Sequence, residues 1–132
     1  MTMTDPISDL LVRIRNAARA GHKRVEVPAS GLKREVVRVL HENHYIRGFT
    51  EVPDVTQNKL LIRLRYTPQK ESVITGLQRV SRPGLRRYGS AVDVKAVGRQ
   101  LGVTIVSTSH GVMTDQEAAQ RGIGGELLCR VW

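Results

Sequence analysis

The amino-acid sequence predicts an α+β fold built from two small domains. Apolar residues recur at helical spacing in two segments of the first half, whereas later segments alternate apolar and polar residues as strands do. Between the halves, Thr67–Ser72 is polar, contains a proline and has no periodicity, which indicates a boundary. We therefore expect an N-terminal domain over residues 1–66, with the order helix, strand, helix, strand, strand. A mainly β domain with short helices should follow over residues 67–132.

The first helix has sequence signals at both ends. Asp5 can cap it, Pro6 suits the first helical position, and Gly21 should end it. Its apolar stripe, at helical spacing, consists of Ile7, Leu10, Leu11, Ile14 and Ala18. This stripe predicts an amphipathic helix that packs on a core.

The remainder of the first domain is predicted to be a small sheet covered by two helices. Lys23–Val27 is the first strand, and Ser30 can start a second helix that runs to about Glu42. The stripe of this helix consists of Leu32, Val36, Val39 and Leu40. Tyr45–Val52 and Leu60–Tyr66 then form a hairpin. In its second strand Ile62, Leu64 and Tyr66 alternate with Arg63 and Arg65.

The second domain is predicted to contain several short strands. Val73–Val80 and Leu85–Tyr88 are expected to be strands on either side of a turn at Ser81-Arg-Pro-Gly. Asp93–Leu101 should form one or two helical turns that Gly102 stops.

The C-terminal segment begins with a β-type run, Gly102-Val-Thr-Ile-Val, and a turn follows at His110–Gly111. Thr114–Glu117 matches a capping box, so a short helix should run to Arg121 and end at Gly122. A last strand should open at Gly-Ile-Gly-Gly-Glu. In that strand Cys129 alternates with Leu127 and Val131, which predicts a buried thiol.

The net charge of +9 is the strongest compositional signal. Such an excess favours a polyanion, either nucleic acid or an anionic membrane surface. No run of roughly 18 apolar residues is present, and the N-terminus lacks the plan of a secretory signal. With a single cysteine that cannot form an internal disulfide, these features predict a cytoplasmic protein without a membrane partner.

Three catalytic or cofactor interpretations are disfavoured by their context. Ser107, Ser109, His110 and Asp115 lack a nucleophile elbow and are neighbours in sequence, so a hydrolase triad is not expected. Gly122–Glu126 precedes a strand instead of a helix, unlike a phosphate-binding loop. The four histidines lack partners at metal-ligand spacing. We expect no enzyme activity, no small-molecule substrate, no cofactor and no metal.

Two groups of residues have chemistry suited to nucleic acid. Around Pro83-Gly84, four arginines accompany Tyr88, namely Arg79, Arg82, Arg86 and Arg87. Arginine fits phosphate geometry and an exposed tyrosine can stack on an unpaired base; the alternative is an inward-packed ring among solubilising charges. Ser107, Thr108 and Ser109 form the second group with Gly124, Gly125 and Glu126. Hydroxyls beside glycines suit close contact with sugars and base edges, although serine also bonds its own backbone in turns.

The segment Ser107–Trp132 closely resembles the C-terminal signature of the family of the eighth bacterial small-subunit ribosomal protein. Members carry Ser-Thr-Ser, a basic residue, Gly, two apolar residues and Thr, followed by a short helix and Gly-Gly-Glu. The likeness extends from Thr4-Asp5-Pro6 to Val131-Trp132. His110 stands where the family usually has Lys or Arg, so it should attract phosphate less at pH 7.

This resemblance implies a structural protein that binds an irregular helix in the central domain of small-subunit ribosomal RNA and aids subunit assembly. The family also has an aromatic residue at the position of Tyr88, after its Pro-Gly-x-Arg pattern. The RNA-binding residues implied are Arg82, Arg86, Arg87, Tyr88, Ser107, Thr108, Ser109, Gly124, Gly125 and Glu126. Neighbouring ribosomal proteins are the other expected partners. A general basic nucleic-acid-binding protein is the alternative that the residues alone leave open.

Overall fold

The computed structural model describes residues 5–97 and 102–132. The chain divides into two compact units. Residues 6–75 form one unit, and Asp5 belongs to the other unit with the described residues between 76 and 132. Both contain helices and an antiparallel sheet, so the predicted α+β class is confirmed.

The N-terminal unit is a three-stranded sheet with two helices. Its elements are α1 (Pro6–Ala20), β1 (Arg24–Pro28), α2 (Gly31–Glu42), β2 (Ile46–Val52) and β3 (Lys59–Leu64). Strand β3 lies in the centre and pairs antiparallel with both β1 and β2. Leu60, Ile62 and Leu64 of β3 are buried, whereas Lys59 and Arg63 are exposed, as the alternation predicts.

Both helices of this unit begin and end close to the predicted residues. Helix α1 ends before Gly21, whose φ of +75° suits glycine. The hydroxyl of Ser30 accepts a hydrogen bond from the Lys33 amide at 3.3 Å and so caps α2. The apolar stripes differ in two members. Ala17 is buried in place of Ala18, and Val37 is buried whereas Leu32, in the first turn of α2, is 40% exposed.

The C-terminal unit is built on a five-stranded sheet. Its strands are β4 (Leu77–Arg79), β5 (Tyr88–Gly89), β6 (Val103–Thr108), β7 (Gly111–Thr114) and β8 (Gly125–Val131). Strand β8 pairs antiparallel with β6 on one side and with β4 and β5 on the other, and β7 pairs with β6. Two short helices, α3 (Ala91–Val97) and α4 (Asp115–Arg121), complete the unit.

Around these helices, a small core contains Val94, Met113 and Ala118, with Ile123 and Leu127 packed against it. Helix α4 has the predicted cap, because the Thr114 hydroxyl accepts a hydrogen bond from the Glu117 amide at 3.1 Å. It ends at Gly122, whose φ is +68°. Cys129 is 1% exposed, and burial raises the pKa of its thiol to about 12. The expected buried strand thiol is confirmed.

The strand predictions between residues 73 and 114 were partly wrong. The strand predicted at Val73–Val80 is shorter, Leu77–Arg79, and Val73 at its predicted start donates its amide to the Arg65 carbonyl instead. Leu85 closes a turn with Arg82, so the next strand is Tyr88–Gly89 and not Leu85–Tyr88. Gly111–Thr114 is a strand that the sequence analysis missed, and the turn before it lies at Ser109–His110.

The predicted helix at Asp93–Leu101 begins earlier than expected, at Ala91. Ser90 accounts for the difference, because its hydroxyl accepts a hydrogen bond from the Asp93 amide at 3.3 Å. Its own amide donates to the Asp93 carboxylate at 3.1 Å. This reciprocal pair is a capping arrangement. The end of the predicted helix, residues 98–101, lies outside the described residues.

Arg79 is a structural residue, which corrects its assignment to the basic surface patch. Its side chain is only 7% exposed, and its guanidinium donates to both Asp5 carboxylate oxygens, at 3.1 and 3.3 Å, and to the Leu128 carbonyl. A buried charge needs such partners, because transfer from water costs several kcal/mol without them. The interaction ties the residue before α1 to strands β4 and β8.

We predict that Asp5→Ala lowers the free energy of unfolding by about 3–5 kcal/mol, because it leaves the buried Arg79 charge without its carboxylate. The matched control is Asp9→Ala, which removes an exposed ion pair with Arg13 and should cost about 1 kcal/mol or less. Urea denaturation measures both. A loss of only about 1 kcal/mol for Asp5→Ala, typical of a missing helix cap, would contradict the prediction.

Candidate nucleic-acid interface

Three candidate residues lie in one row across strands β5, β8 and β6. Tyr88 is directly opposite Glu126, and Glu126 is directly opposite Ser107. Residues opposite each other in antiparallel strands project from the same face of a sheet. The sheet register therefore brings together residues that are separated by nearly forty positions in the sequence.

Tyr88 presents its ring to solvent. It is 69% exposed, so it lies at the surface and not in a core. It is also flanked by the exposed arginines Arg86 and Arg87. An aromatic ring beside arginines offers stacking and charge attraction at one place.

The turn between β6 and β7 carries three hydroxyl residues, and only the Thr108 hydroxyl forms hydrogen bonds within the turn. The Thr108 hydroxyl donates to the Gly111 carbonyl at 2.7 Å and accepts from the His110 amide at 3.1 Å. Thr108 is therefore a turn-forming residue. Ser107 is half-buried and Ser109 is exposed. Within the described residues, neither serine hydroxyl has a hydrogen-bond partner.

Glu126 of strand β8 is bonded to the segment Ser81–Arg87, which carries Arg82, Arg86 and Arg87 and is called the basic turn below. Its carboxylate accepts hydrogen bonds from the Ser81 hydroxyl at 2.6 Å and from the Arg86 guanidinium at 2.9 Å. Ser81 is fully buried, and its hydroxyl also accepts a hydrogen bond from the Arg87 amide at 3.1 Å. This network fixes the segment that carries the arginines. Nothing in the sequence pattern identifies Ser81 as the partner of Glu126.

The arginines of the basic turn differ in their pairing. Arg86 forms the ion pair with Glu126. Arg82 and Arg87 are exposed, and in the part of the chain that the structure describes neither has an ion pair. Arg82 exchanges two backbone hydrogen bonds with Leu85, at 3.1 and 2.9 Å, which close the turn over Pro83-Gly84. Two cations of this turn are thus available to an external anion.

Gly124 and Gly125 lie where neighbouring backbones approach closely. A Cβ at Gly124 would lie 2.2 Å from the Gly89 carbonyl oxygen, and one at Gly125 would lie 2.1 Å from the Ser107 carbonyl oxygen. No real side chain fits at these distances. The two glycines are therefore needed for β5, β6 and β8 to come together.

The described residues contain no group of histidine, cysteine or acidic side chains that could hold a metal ion. Among the helices of the described chain, none is long and apolar enough to span a membrane.

Comparison with known proteins assigns the chain to a family. Residues 5–132 match the family Ribosomal protein S8. The chain belongs to this family. It is similar to the small ribosomal subunit protein uS8 of Natranaerobius thermophilus, with 52% identity over 132 residues and the whole of both chains.

Two further relatives have the same printed name. The uS8 protein of Desulforudis audaxviator is 52% identical over 130 residues, which cover 98% of this chain and 99% of the relative. That of Geobacillus kaustophilus is 50% identical over all of both chains. The resemblance recognised in the sequence is thereby confirmed over the full length.

We predict that Gly125→Ala destabilises this member of the Ribosomal protein S8 family by at least about 1–3 kcal/mol, because the added methyl collides with the Ser107 backbone. Gly48→Ala in β2 is the control, since a Cβ there meets no atom within 4 Å and its φ lies outside the left-handed region. Thermal and urea unfolding measure both variants. Equal effects at the two positions would refute the role of Gly125 in strand packing.

The pKa of Glu126 predicts a pH dependence. Burial raises this pKa, but hydrogen bonds from Ser81 and Arg86 and the charges of Arg86 and Arg79 lower it by more, to below 4.5. Its contribution to stability is therefore present above about pH 4.5 and is lost as the pH falls through the folded-state pKa. Glu126→Gln should lose less stability than the wild type between pH 5 and 3. An equal loss of stability in Glu126→Gln and in the wild type over this pH range, measured by urea denaturation, would contradict the prediction.

Proposed function

We propose that this protein is a structural constituent of the small ribosomal subunit and binds the ribosomal RNA of that subunit directly. Its place would be in the cytoplasmic ribosome, on an irregular helix of the central RNA domain, where it helps to fix the RNA during assembly. Membership of the Ribosomal protein S8 family supports the structural, non-enzymatic role. Neighbouring ribosomal proteins are its other partners.

The observation that carries this proposal is the row of Tyr88, Glu126 and Ser107. The neighbouring Arg82 and Arg87 have no ion pair among the residues that the structure describes. An A-form RNA helix closes its deep major groove to side chains and exposes 2′-hydroxyls, and irregular helices also present unpaired bases. A surface with a ring, free hydroxyls and arginines matches these three groups of RNA. A smooth duplex offers no unpaired base to the ring.

Each residue of the surface has a distinct part in the proposed complex. Tyr88 stacks on an unpaired base, and the hydroxyls of Ser107 and Ser109 bond sugars and base edges. Thr108 shapes the turn that presents them. Glu126 orients Arg86 through their ion pair, which adds order more than affinity.

Charge and packing complete the interface. Arg82 and Arg87 attract phosphates together with the net charge of +9. Gly124 and Gly125 contribute indirectly, because they let β5, β6 and β8 come close enough to place Tyr88, Glu126 and Ser107 in one row.

The experiment that tests the function is a hydroxyl-radical footprint of the full-length protein on small-subunit ribosomal RNA, followed by competition with duplex DNA at matched salt. Protection confined to one irregular helix, together with weak competition by DNA, is expected. Protection spread along the RNA and equal competition by DNA would identify a general basic nucleic-acid-binding protein instead.

We predict that Tyr88→Ala weakens binding to the protected RNA fragment by about 1–3 kcal/mol, because a stacked base is lost. Tyr88→Phe is the control and should cost much less, since the ring remains. Filter binding gives both affinities, and circular dichroism gives the melting temperatures. A lower melting temperature with unchanged affinity of the folded protein would assign Tyr88 a structural role.

The serines give a separate prediction about discrimination. Ser107→Ala and Ser109→Ala should each cost about 1–3 kcal/mol against the cognate RNA, because RNA groups lose their partners. The salt dependence should stay the same, since no phosphate charge is involved. An unchanged ratio of cognate to unrelated affinity in both variants would remove this turn from the recognition surface.

A further inference from the structure

Ser81, at the first position of the basic turn, is fully buried, whereas Arg82, Arg86 and Arg87 of the same turn are exposed. A buried hydroxyl costs free energy unless it is hydrogen-bonded, and Ser81 has two partners. It donates to Oε2 of Glu126 at 2.6 Å and accepts from the Arg87 amide at 3.1 Å. Because Ser81 is not accessible to RNA, any effect that it has on binding must pass through these partners.

The backbone of the basic turn is anchored at the same place. The Ser81 amide donates to the Leu127 carbonyl at 2.8 Å, and the Leu127 amide donates to the Arg87 carbonyl at 3.0 Å. Together with the bond from the Arg87 amide to the Ser81 hydroxyl, these bonds form a closed ring. Both ends of the turn are therefore attached to β8, and the Ser81 side chain supplies the link of the ring that the backbone does not.

The second partner of Ser81 leads to a cation at the surface. Oε2 of Glu126 accepts hydrogen bonds both from the Ser81 hydroxyl and from the Arg86 guanidinium, the latter at 2.9 Å. Rotation of the carboxylate would break both bonds. Burial raises the pKa of Glu126, and the bond from Ser81 is the largest of the effects that lower it below its usual value. Ser81 thus holds this carboxylate in place and also favours its ionised form.

Arg86 differs from the other arginines of the basic turn in what it can contribute to binding. Glu126 partly neutralises its charge, so it attracts an arbitrary phosphate less than Arg82 or Arg87, for which the described residues show no ion pair. A guanidinium that is held in one orientation presents its remaining N–H groups as a fixed fork, which favours acceptors at matching positions. The value of Arg86 therefore lies in its orientation, which depends on Ser81 through Glu126.

We propose that Ser81 is a positioning residue for the discrimination of RNA: its buried hydroxyl fixes the Glu126 carboxylate, which in turn fixes the Arg86 guanidinium. The proposal rests on the proposed function, because it concerns the same surface. It adds a residue that determines specificity without contact with RNA. Loss of this hydroxyl should reduce the preference for the cognate RNA but not the general attraction, since no charge of the surface is removed.

The test uses full-length Ser81→Ala, with Thr114→Ala as the matched control. Both changes remove a hydroxyl that accepts a backbone amide in the C-terminal unit, but the Thr114 hydroxyl belongs to the cap of α4 and not to the network of Glu126. The probes are the RNA fragment protected in the footprint and an RNA duplex of unrelated sequence. Filter binding gives both affinities, and circular dichroism gives the folded fraction by which they are corrected.

Ser81→Ala should lower the ratio of cognate to unrelated affinity by about tenfold or more, because a hydrogen bond to a charged group is lost. The affinity for the unrelated duplex and its salt dependence should stay the same, since the net charge is unchanged. Thr114→Ala should keep the wild-type ratio. A folded Ser81→Ala protein with the wild-type ratio would overturn the proposal.

If Ser81→Ala does not fold, Ser81→Cys takes its place in every comparison. The thiol fills the site but is only a weak donor and acceptor, so the ratio should again fall. A folded Ser81→Cys protein that keeps the wild-type ratio would count against the proposal in the same way.

A double-mutant comparison tests the route from Ser81 through Glu126 to Arg86. In an Arg86→Gln background, Ser81→Ala should change the ratio by much less, since the guanidinium that it positions is gone. Independent sites would give the same change in both backgrounds to within about twofold. Equal changes would show that Ser81 acts on the fold alone, which would overturn the proposal.

A measurement on the protein without RNA tests the first step of this route. Carbon-13 NMR titration of the Glu126 carboxyl should give a higher pKa in Ser81→Ala than in the wild type, because the bond that is lost lowers this pKa. Thr114→Ala should leave the pKa of Glu126 where it is. The same pKa in Ser81→Ala and in the wild type would overturn the proposal.

Failure of this proposal and failure of the proposed function give different results. Absence of any preference for the footprinted fragment in the wild-type protein would refute the proposed function, and the NMR titration would still decide whether Ser81 fixes the Glu126 carboxylate. A preference that is present in the wild type and unchanged in Ser81→Ala would leave the proposed function intact and overturn the positioning role of Ser81.

Discussion

The pairing of β8 with three other strands is the interaction on which the C-terminal unit depends. Residues at one end of β8 pair with β5, those at the other end pair with β4, and its opposite edge pairs with β6. Gly124 and Gly125 permit this arrangement because the backbones of Gly89 and Ser107 occupy the space of their side chains. Glu126 follows immediately and is therefore held between Tyr88 and Ser107. Gly124, Gly125 and Glu126 thus serve both the packing of the sheet and the candidate recognition surface.

The arginines of the C-terminal unit have different roles, which depend on whether each side chain is buried and whether it has an acidic partner. Arg79 is buried and joins Asp5 to β8, so its charge stabilises the fold. Arg86 lies at the surface, where its ion pair with Glu126 holds it in place. Arg82 and Arg87 have no such partner among the described residues and remain available to an anion. Net charge alone, at +9, does not distinguish these roles, because it counts a buried structural cation and a free surface cation equally.

The local features of the fold were predictable from the sequence, and the long-range pairings were not. Ser30, Thr114 and Gly122 act within one helical turn of their own positions, so short patterns identified the helix ends correctly. Strand β7 was missed because its pairing across a two-residue turn was read as a turn alone. The strand predicted at Val73–Val80 was too long, because Val73 still belongs to the N-terminal unit and bonds to Arg65 there. The pairings of Ser81 with Glu126 and of Arg79 with Asp5 join residues 45 and 74 positions apart, and no local pattern encodes them. The candidate surface was predictable as a set of residues, whereas their common row required the register of β8.

The position of β8 after all the strands that it pairs with has a consequence for the order of synthesis. A protein chain emerges from the ribosome from its N-terminus, and domains fold as units once their residues are available. The N-terminal unit is complete in sequence by Thr75. In the C-terminal unit, β4, β5 and β6 have no central partner until residues 125–131 have been made. A nascent chain can therefore fold its N-terminal unit early, but the row of Tyr88, Glu126 and Ser107 can form only once residues 125–131 have been made.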